Sequence, residues 1–123
     1  MTVVCTTSLG PDPVSARLAR QFVVATLLEW HAEHLIDTAS LLTSELVTNA
    51  VLHADSAIEL RVAREANLIR FEVEDHGGGH PKPRHPRPEE TSGRGLALVD
   101  TLSDAWGVDR INSGKAVWFE LMT

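Results

Sequence analysis

Alternation of apolar and polar residues is sharpest in two short runs near the middle of the chain. Ile58, Leu60 and Val62 alternate with Glu59, Arg61 and Ala63, and Ile69, Phe71 and Val73 alternate with Arg70, Glu72 and Glu74. A period of two residues places each apolar set on one face of a strand. Glu65-Ala66-Asn67 is the tight connection between them, so the pair reads as a β-hairpin. A second hairpin is expected from residues 106–111 and 116–121, closed by Asn112-Ser113-Gly114-Lys115. Residues 2–9, rich in Thr, Val and Ser, read as a short first strand.

Elsewhere the spacing is helical. Val14, Leu18, Phe22, Ala25 and Leu28 predict a helix from about Pro13 to about His31, with Asp12 as its cap and proline at the first helical position. Residues 31–36 form a connector. Asp37 is expected to cap a second helix running to about His53, with Leu41, Leu42, Leu46, Val47, Ala50 and Val51 as its apolar face and Ala54-Asp55-Ser56 as its break. Leu96–Leu102 resumes the helical period, with Leu98, Val99 and Leu102 on the buried side. Residues 75–95 differ in kind: they hold five of the eight glycines, four of the six prolines and three of the six histidines. A loop of this length inside a compact domain is either functional or disordered. The order β, α, α, β, β, loop, α, β, β suggests an α+β domain, a sheet with helices on one face.

Composition narrows the class. A chain of 123 residues suits one domain, 1–123, and 43% apolar with 23% charged residues is ordinary for a folded soluble protein. The longest apolar stretches, Phe22–Leu28 and Gly95–Val99, are far below the roughly 20 residues that span a bilayer, so no membrane partner is expected. Met1-Thr-Val-Val-Cys-Thr-Thr carries no basic segment or apolar core of a secretory signal, and the single Cys5 excludes an internal disulfide; the expectation is a cytoplasmic protein. The net charge of −6 argues against direct binding to a nucleic-acid backbone. It does not bear on a local site for one nucleotide.

Three pieces could carry chemistry. Glu45 and Asn49 are four apart and share a helix face beside the apolar stripe, giving a hard-oxygen edge suited to Mg²⁺ and a polarised hydroxyl; alone, the pair fits a solvent-exposed couple better. Asp75-His76-Gly77-Gly78-Gly79 follows a strand directly, where a carboxylate could accept from the amino group of a base and glycines would let a flat ring approach; alone, it also fits a Gly-rich turn. Ser92-Gly93-Arg94-Gly95-Leu96 opens a helix, where free N–H groups and Arg94 could meet an anion; alone, it also fits a linker. It is neither the Walker pattern nor the dinucleotide fingerprint.

Taken together, in this order and spacing, the three pieces resemble the GHKL ATP-binding fold of gyrase-type topoisomerases, histidine kinases and heat-shock chaperone ATPases. That superfamily carries Glu-x-x-x-Asn on a helix, Asp-x-Gly-x-Gly after a strand, and Gly-x-Gly at a helix start. Here these are Glu45 and Asn49, Asp75 with Gly77 and Gly79, and Gly93-Arg94-Gly95. The small size, His53-Ala54, Gly93-Arg-Gly-Leu-Ala-Leu-Val99, Trp106-Gly107 and Gly114-Lys115-Ala-Val-Trp-Phe-Glu120 make the chain similar to the bacterial anti-sigma regulatory kinases, from about Ser15 to Leu121.

The resemblance implies a two-layer α/β sandwich of the Bergerat type, with a mostly antiparallel mixed sheet and a mobile lid at about 76–92. It implies that Asp75 recognises the adenine amino group and that Gly77 and Gly79 line base and ribose. Asn49 would ligate Mg²⁺; Gly93, Arg94, Gly95 and Leu96 would hold ATP on its phosphate side; Glu45 would orient or deprotonate the incoming serine hydroxyl. The partners implied are a sigma factor, which the protein would sequester, and an anti-anti-sigma protein, whose serine it would phosphorylate; relatives of this kind often form homodimers. A non-catalytic ATP-binding module and a pure interaction domain are the alternatives. Two departures stand out. Glu89-Glu90-Thr91 occupies ground where kinase members often carry an arginine, with Arg84, Arg87 or Arg94 as substitutes, and Lys115 follows Gly114 where Thr is usual. His76, His80 and His85 are irregularly spaced and lack cysteine partners, a poor pattern for a transition metal. Trp30, Trp106 and Trp118 are expected to anchor the core or an interface.

Overall fold

The computed structural model of the chain describes residues 1–53, 56–76, 93–111 and 114–123, with the backbone alone at 93–95. In chain order the elements are β1 (Thr2–Leu9), α1 (Val14–Glu29), a 3₁₀ turn (Glu33–Leu35), α2 (Ile36–His53), β2 (Ile58–Glu65), β3 (Leu68–Asp75), α3 (Gly93–Leu102), β4 (Ala105–Ile111) and β5 (Gly114–Met122). The strands form one five-stranded sheet in the order β1-β2-β3-β5-β4. Among the described residues all four pairings are antiparallel, so the sheet described there shows no parallel, mixed component.

The two-residue alternation is realised as written. Ile58, Leu60, Val62, Ile69, Phe71 and Val73 are buried on the sheet face that meets the helices, and Phe119 and Leu121 of β5 join them. Phe71 and Phe119 are register partners on β3 and β5, and their rings stack with centroids 4.7 Å apart. Val23 and Leu27 of α1, Leu42, Leu46 and Val47 of α2, and Val99 of α3 close the core from the other layer. The opposite sheet face is polar. There Arg70 lies over the Trp118 ring, 4.0 Å from its centroid, and within 4 Å of Glu72, Asp109 and Glu120.

The buried face of α1 differs from the expected one. Ser15, Ala19, Val23, Thr26 and Leu27 are buried, whereas Val14, Leu18 and Leu28 are 40–48% exposed. The helix carries two adjacent stripes, and the one with Ser15, Ala19, Val23, Thr26 and Leu27 packs inward, chiefly against α2. Ser15 Oγ also donates to the Gly10 carbonyl at 2.6 Å, which satisfies that buried hydroxyl. Likewise Leu41 and Leu102 are exposed rather than buried. Asp12 acts as expected: its Oδ1 accepts from the Val14 N–H at 3.1 Å. Asp37 does not cap α2 from outside. It lies in the first turn, because the 3₁₀ turn leads directly into the helix; its charge still favours the helix N-terminus there.

The end of α1 is a Schellman turn built without glycine. His31 takes φ 57°, its N–H donates to the Leu28 carbonyl at 3.2 Å, and the Ala32 N–H donates to the Leu27 carbonyl at 2.8 Å. Ala32 and Leu27, both fully buried, supply the apolar contact that accompanies this motif. Arg64 of β2 donates to the Trp30 carbonyl, placing a cation at the negative end of the helix. Trp30 and Trp106 pack on the edge of the core, and Trp106 Nε1 donates to Asp100 Oδ1 at 2.8 Å. No helix among the described residues is long and apolar enough to cross a membrane.

Candidate functional site

A cleft of about 420 Å³, counted out to solvent, opens between the helix layer and the inner face of the sheet. Its walls come from five elements: Leu46, Asn49 and Ala50 of α2, Val73 and Asp75 of β3, Leu96 of α3, Val108 of β4, and Lys115 and Val117 of β5. Apolar side chains supply most of the wall, and Asn49, Asp75 and Lys115 are the polar groups. A flat heteroaromatic ring needs this combination: two apolar faces, and a few fixed donors and acceptors at its edge.

Local structure explains each placement. On α2 the core stripe is Ala39, Leu42, Thr43, Leu46, Val47 and Ala50. Glu45 and Asn49 flank it, both half-buried, one turn apart. Asn49 reaches the cleft, while Glu45 lies outside its lining. Asp75 is the last residue of β3, and its strand face is the one that carries Ile69, Phe71 and Val73 inward. It is therefore a carboxylate on the apolar side of the sheet, only 7% exposed. Gly114 fixes its surroundings: a Cβ there would lie 1.9 Å from the Asp75 carbonyl oxygen. The start of β5 thus rests directly against the end of β3. Gly93, Arg94 and Gly95 form the first turn of α3, and Leu96, the next residue, borders the cleft. The first N–H groups of a helix have no partner within the helix, which makes such a turn a resource for an anion.

Of the residues singled out in the sequence, the fold brings Asn49, Asp75 and Leu96 to one cavity. Gly77, Gly79, the segment from 77 to 92 with Lys82, Arg84, Arg87, His80 and His85, and the Glu89-Glu90-Thr91 stretch lie outside the described residues. His76 pairs with Glu74 at 3.4 Å. No group of three or more His, Cys, Asp or Glu that could hold a metal occurs among the described residues. Leu46, Ala50, Val73, Val108 and Val117 carry no mark of a lining role in their residue type, and Lys115 stands out in the sequence only as a departure where Thr is usual. Strand alternation does carry a signal for Val73, two residues before Asp75 on the same face, whereas Val117 and Lys115 reach the cleft through a β3–β5 register that local sequence does not encode.

A family model for the histidine kinase-like ATPase domain matches residues 9–121. No curated protein matches the chain significantly. Among solved structures, the RsbU and RsbW domains of Rv1364c from Mycobacterium tuberculosis superpose with a TM-score of 0.75 at 22% identity, over 98% of this chain and 32% of that one. The histidine kinase domain of a blue-light activated histidine kinase from Erythrobacter litoralis gives 0.52 at 30% identity, over 71% of this chain and 44% of that one. The chain thus spans less than half the length of either structure. The match over nearly its whole length, with the antiparallel sheet and the cleft beneath α2, makes the chain a member of the histidine kinase-like ATPase domain family, a GHKL-type nucleotide-binding fold.

Proposed function

We propose that the protein is an ATP-binding, partner-switching regulator that sequesters a sigma factor and phosphorylates a serine of an anti-anti-sigma protein. The observation that carries the reading is the convergence of Asn49, Asp75 and Leu96, from three separate elements, on one apolar-walled cleft. The likeness in fold to a structure containing an RsbW domain supports the regulatory side.

In this reading Asp75 accepts a hydrogen bond from the adenine amino group, with Leu46, Val73 and Val117 against the ring. Gly77 and Gly79 line base and ribose, and Gly93, Arg94 and Gly95 hold the phosphate chain. The donor set fits Mg²⁺: Asn49 offers a hard carboxamide oxygen, and this ion is held through one or two side chains plus phosphates and water rather than a protein cage. When bound, Mg²⁺ neutralises phosphate charge. Glu45 takes the proton of the incoming serine hydroxyl as its oxygen bonds to the γ-phosphorus and the bond to the β-phosphate oxygen breaks, releasing ADP. Such transfer rests mainly on positioning and charge neutralisation, so few protein groups are needed.

A non-catalytic nucleotide module is the second reading, favoured by the position of Glu45 outside the cleft lining. Titration with labelled ATP and Mg²⁺, followed by incubation with a candidate serine-bearing antagonist, tests both. Saturable binding with label on serine supports the kinase. Saturable binding without transfer supports the module, and no binding leaves an interaction domain.

A further inference from the structure

Lys115 occupies a position at the Asp75 end of the cleft that core packing does not demand. It is the register partner of Asp75 across β3 and β5, so both side chains leave the sheet on the face toward the helices. Directly opposed residues of an antiparallel pair carry Cβ atoms about 5 Å apart. Both residues line the cleft. The neighbouring Gly114, with no room for a Cβ against the Asp75 carbonyl, holds the two strand ends in contact and so fixes where the lysine stem begins. None of the ion pairs among the described residues engages Lys115, although a carboxylate is its register partner. Lys115 is half-buried and lines the cleft together with Val73, Val117 and Leu96, so an acceptor brought in by a ligand meets a cationic donor there.

Resting on the nucleotide-binding reading above, we propose that Lys115 is a base-selectivity residue. Its ammonium donates a hydrogen bond to the adenine ring nitrogen adjacent to the amino group that Asp75 accepts from. A carboxylate alone reads only the donor on the base. A carboxylate and an ammonium side by side read the donor and its neighbouring acceptor together, which ties recognition to the ring edge as well as to the amino group. The acceptor is N1 or N7, the ring nitrogens that lie on either side of the exocyclic amino group.

The test is equilibrium binding of ATP, 1-deaza-ATP and 7-deaza-ATP, each with Mg²⁺, to the wild-type chain, Lys115→Met and Lys115→Arg. The wild type is expected to bind one deaza analogue about tenfold more weakly than ATP, the scale of a hydrogen bond from a charged donor. Lys115→Met loses about tenfold for ATP by the same reasoning, and its penalty for that analogue disappears. Lys115→Arg, which keeps a cationic donor, retains the discrimination and guards against misfolding of the methionine variant. Equal affinity of the wild type for all three nucleotides overturns the proposal, as does unchanged discrimination in Lys115→Met. Either result leaves ATP binding standing. Absence of ATP binding by the wild type overturns the nucleotide reading, and the role of Lys115 with it.

Discussion

Asn49 and Asp75 belong to different layers, one on α2 and the other at the last position of β3, yet both line the same cleft. The apolar stripe of α2 seats that helix on the sheet, and the strand period turns Asp75 inward beneath it. Core packing thereby places a carboxamide and a buried carboxylate at one cavity. The functional reading depends on this pairing.

Replacing Asp75 with Asn leaves the shape nearly unchanged but substitutes a neutral amide for the carboxylate. ATP affinity should fall by about tenfold or more, because a hydrogen bond to a charged group contributes roughly 1.5–3 kcal/mol. Isothermal titration of ATP into Asp75→Asn checks this, and unchanged affinity contradicts the assigned role.

Glu45→Ala separates transfer from binding. Since Glu45 lies outside the cleft lining, ATP affinity should stay within about threefold of wild type, while transfer to a serine falls by about 10²-fold or more, the usual scale for a general base. Filter binding and a phosphoserine assay on the same preparation read the two quantities.

Gly114→Ala is expected to damage both stability and binding. The new Cβ would meet the Asp75 backbone, with its carbonyl oxygen at 1.9 Å and its carbonyl carbon at 2.7 Å, and backbone cannot rotate away as a side chain can. The strand ends must separate, carrying Asp75 and Lys115 out of register. Urea denaturation should show a loss of about 1–3 kcal/mol, the range for overpacking, together with weaker ATP binding. Wild-type stability would show that the contact is not tight.

Phe119→Ala tests the core alone. Phe119 is fully buried and stacked on Phe71, and truncation of a buried phenylalanine costs about 3–5 kcal/mol. Against the roughly 5–15 kcal/mol that holds a small domain together, that is a large fraction, and the melting temperature should fall by about 10 °C or more. Thermal melting by circular dichroism measures it.

Much of the fold was legible because each strand carries its own instruction. Ile58, Leu60 and Val62 against Glu59, Arg61 and Ala63 fix a buried face without reference to any other element. The face of α1 was not legible in that way. Its stripe of Val14, Leu18 and Leu28 is the more hydrophobic by inspection, but the stripe with Ser15 and Ala19 is the buried one, and only three-dimensional packing expresses that preference. The turn at His31 gave no signal either, since the left-handed position that usually announces itself with glycine holds a histidine. In the site, Asn49 and Asp75 stood out by residue type and spacing. Lys115 did not acquire a role because β3 pairs with β5 across an intervening helix and strand, and that register is not written in local sequence.

The most direct test of the central claim is a nitrogen–proton NMR titration of the wild-type chain with a non-hydrolysable ATP analogue and Mg²⁺. The account predicts saturable shifts concentrated at Asn49, Ala50, Asp75, Leu96, Lys115 and Val117. Saturable shifts confined to the polar sheet face around Arg61 and Arg70, or no saturable shifts at all, would contradict it.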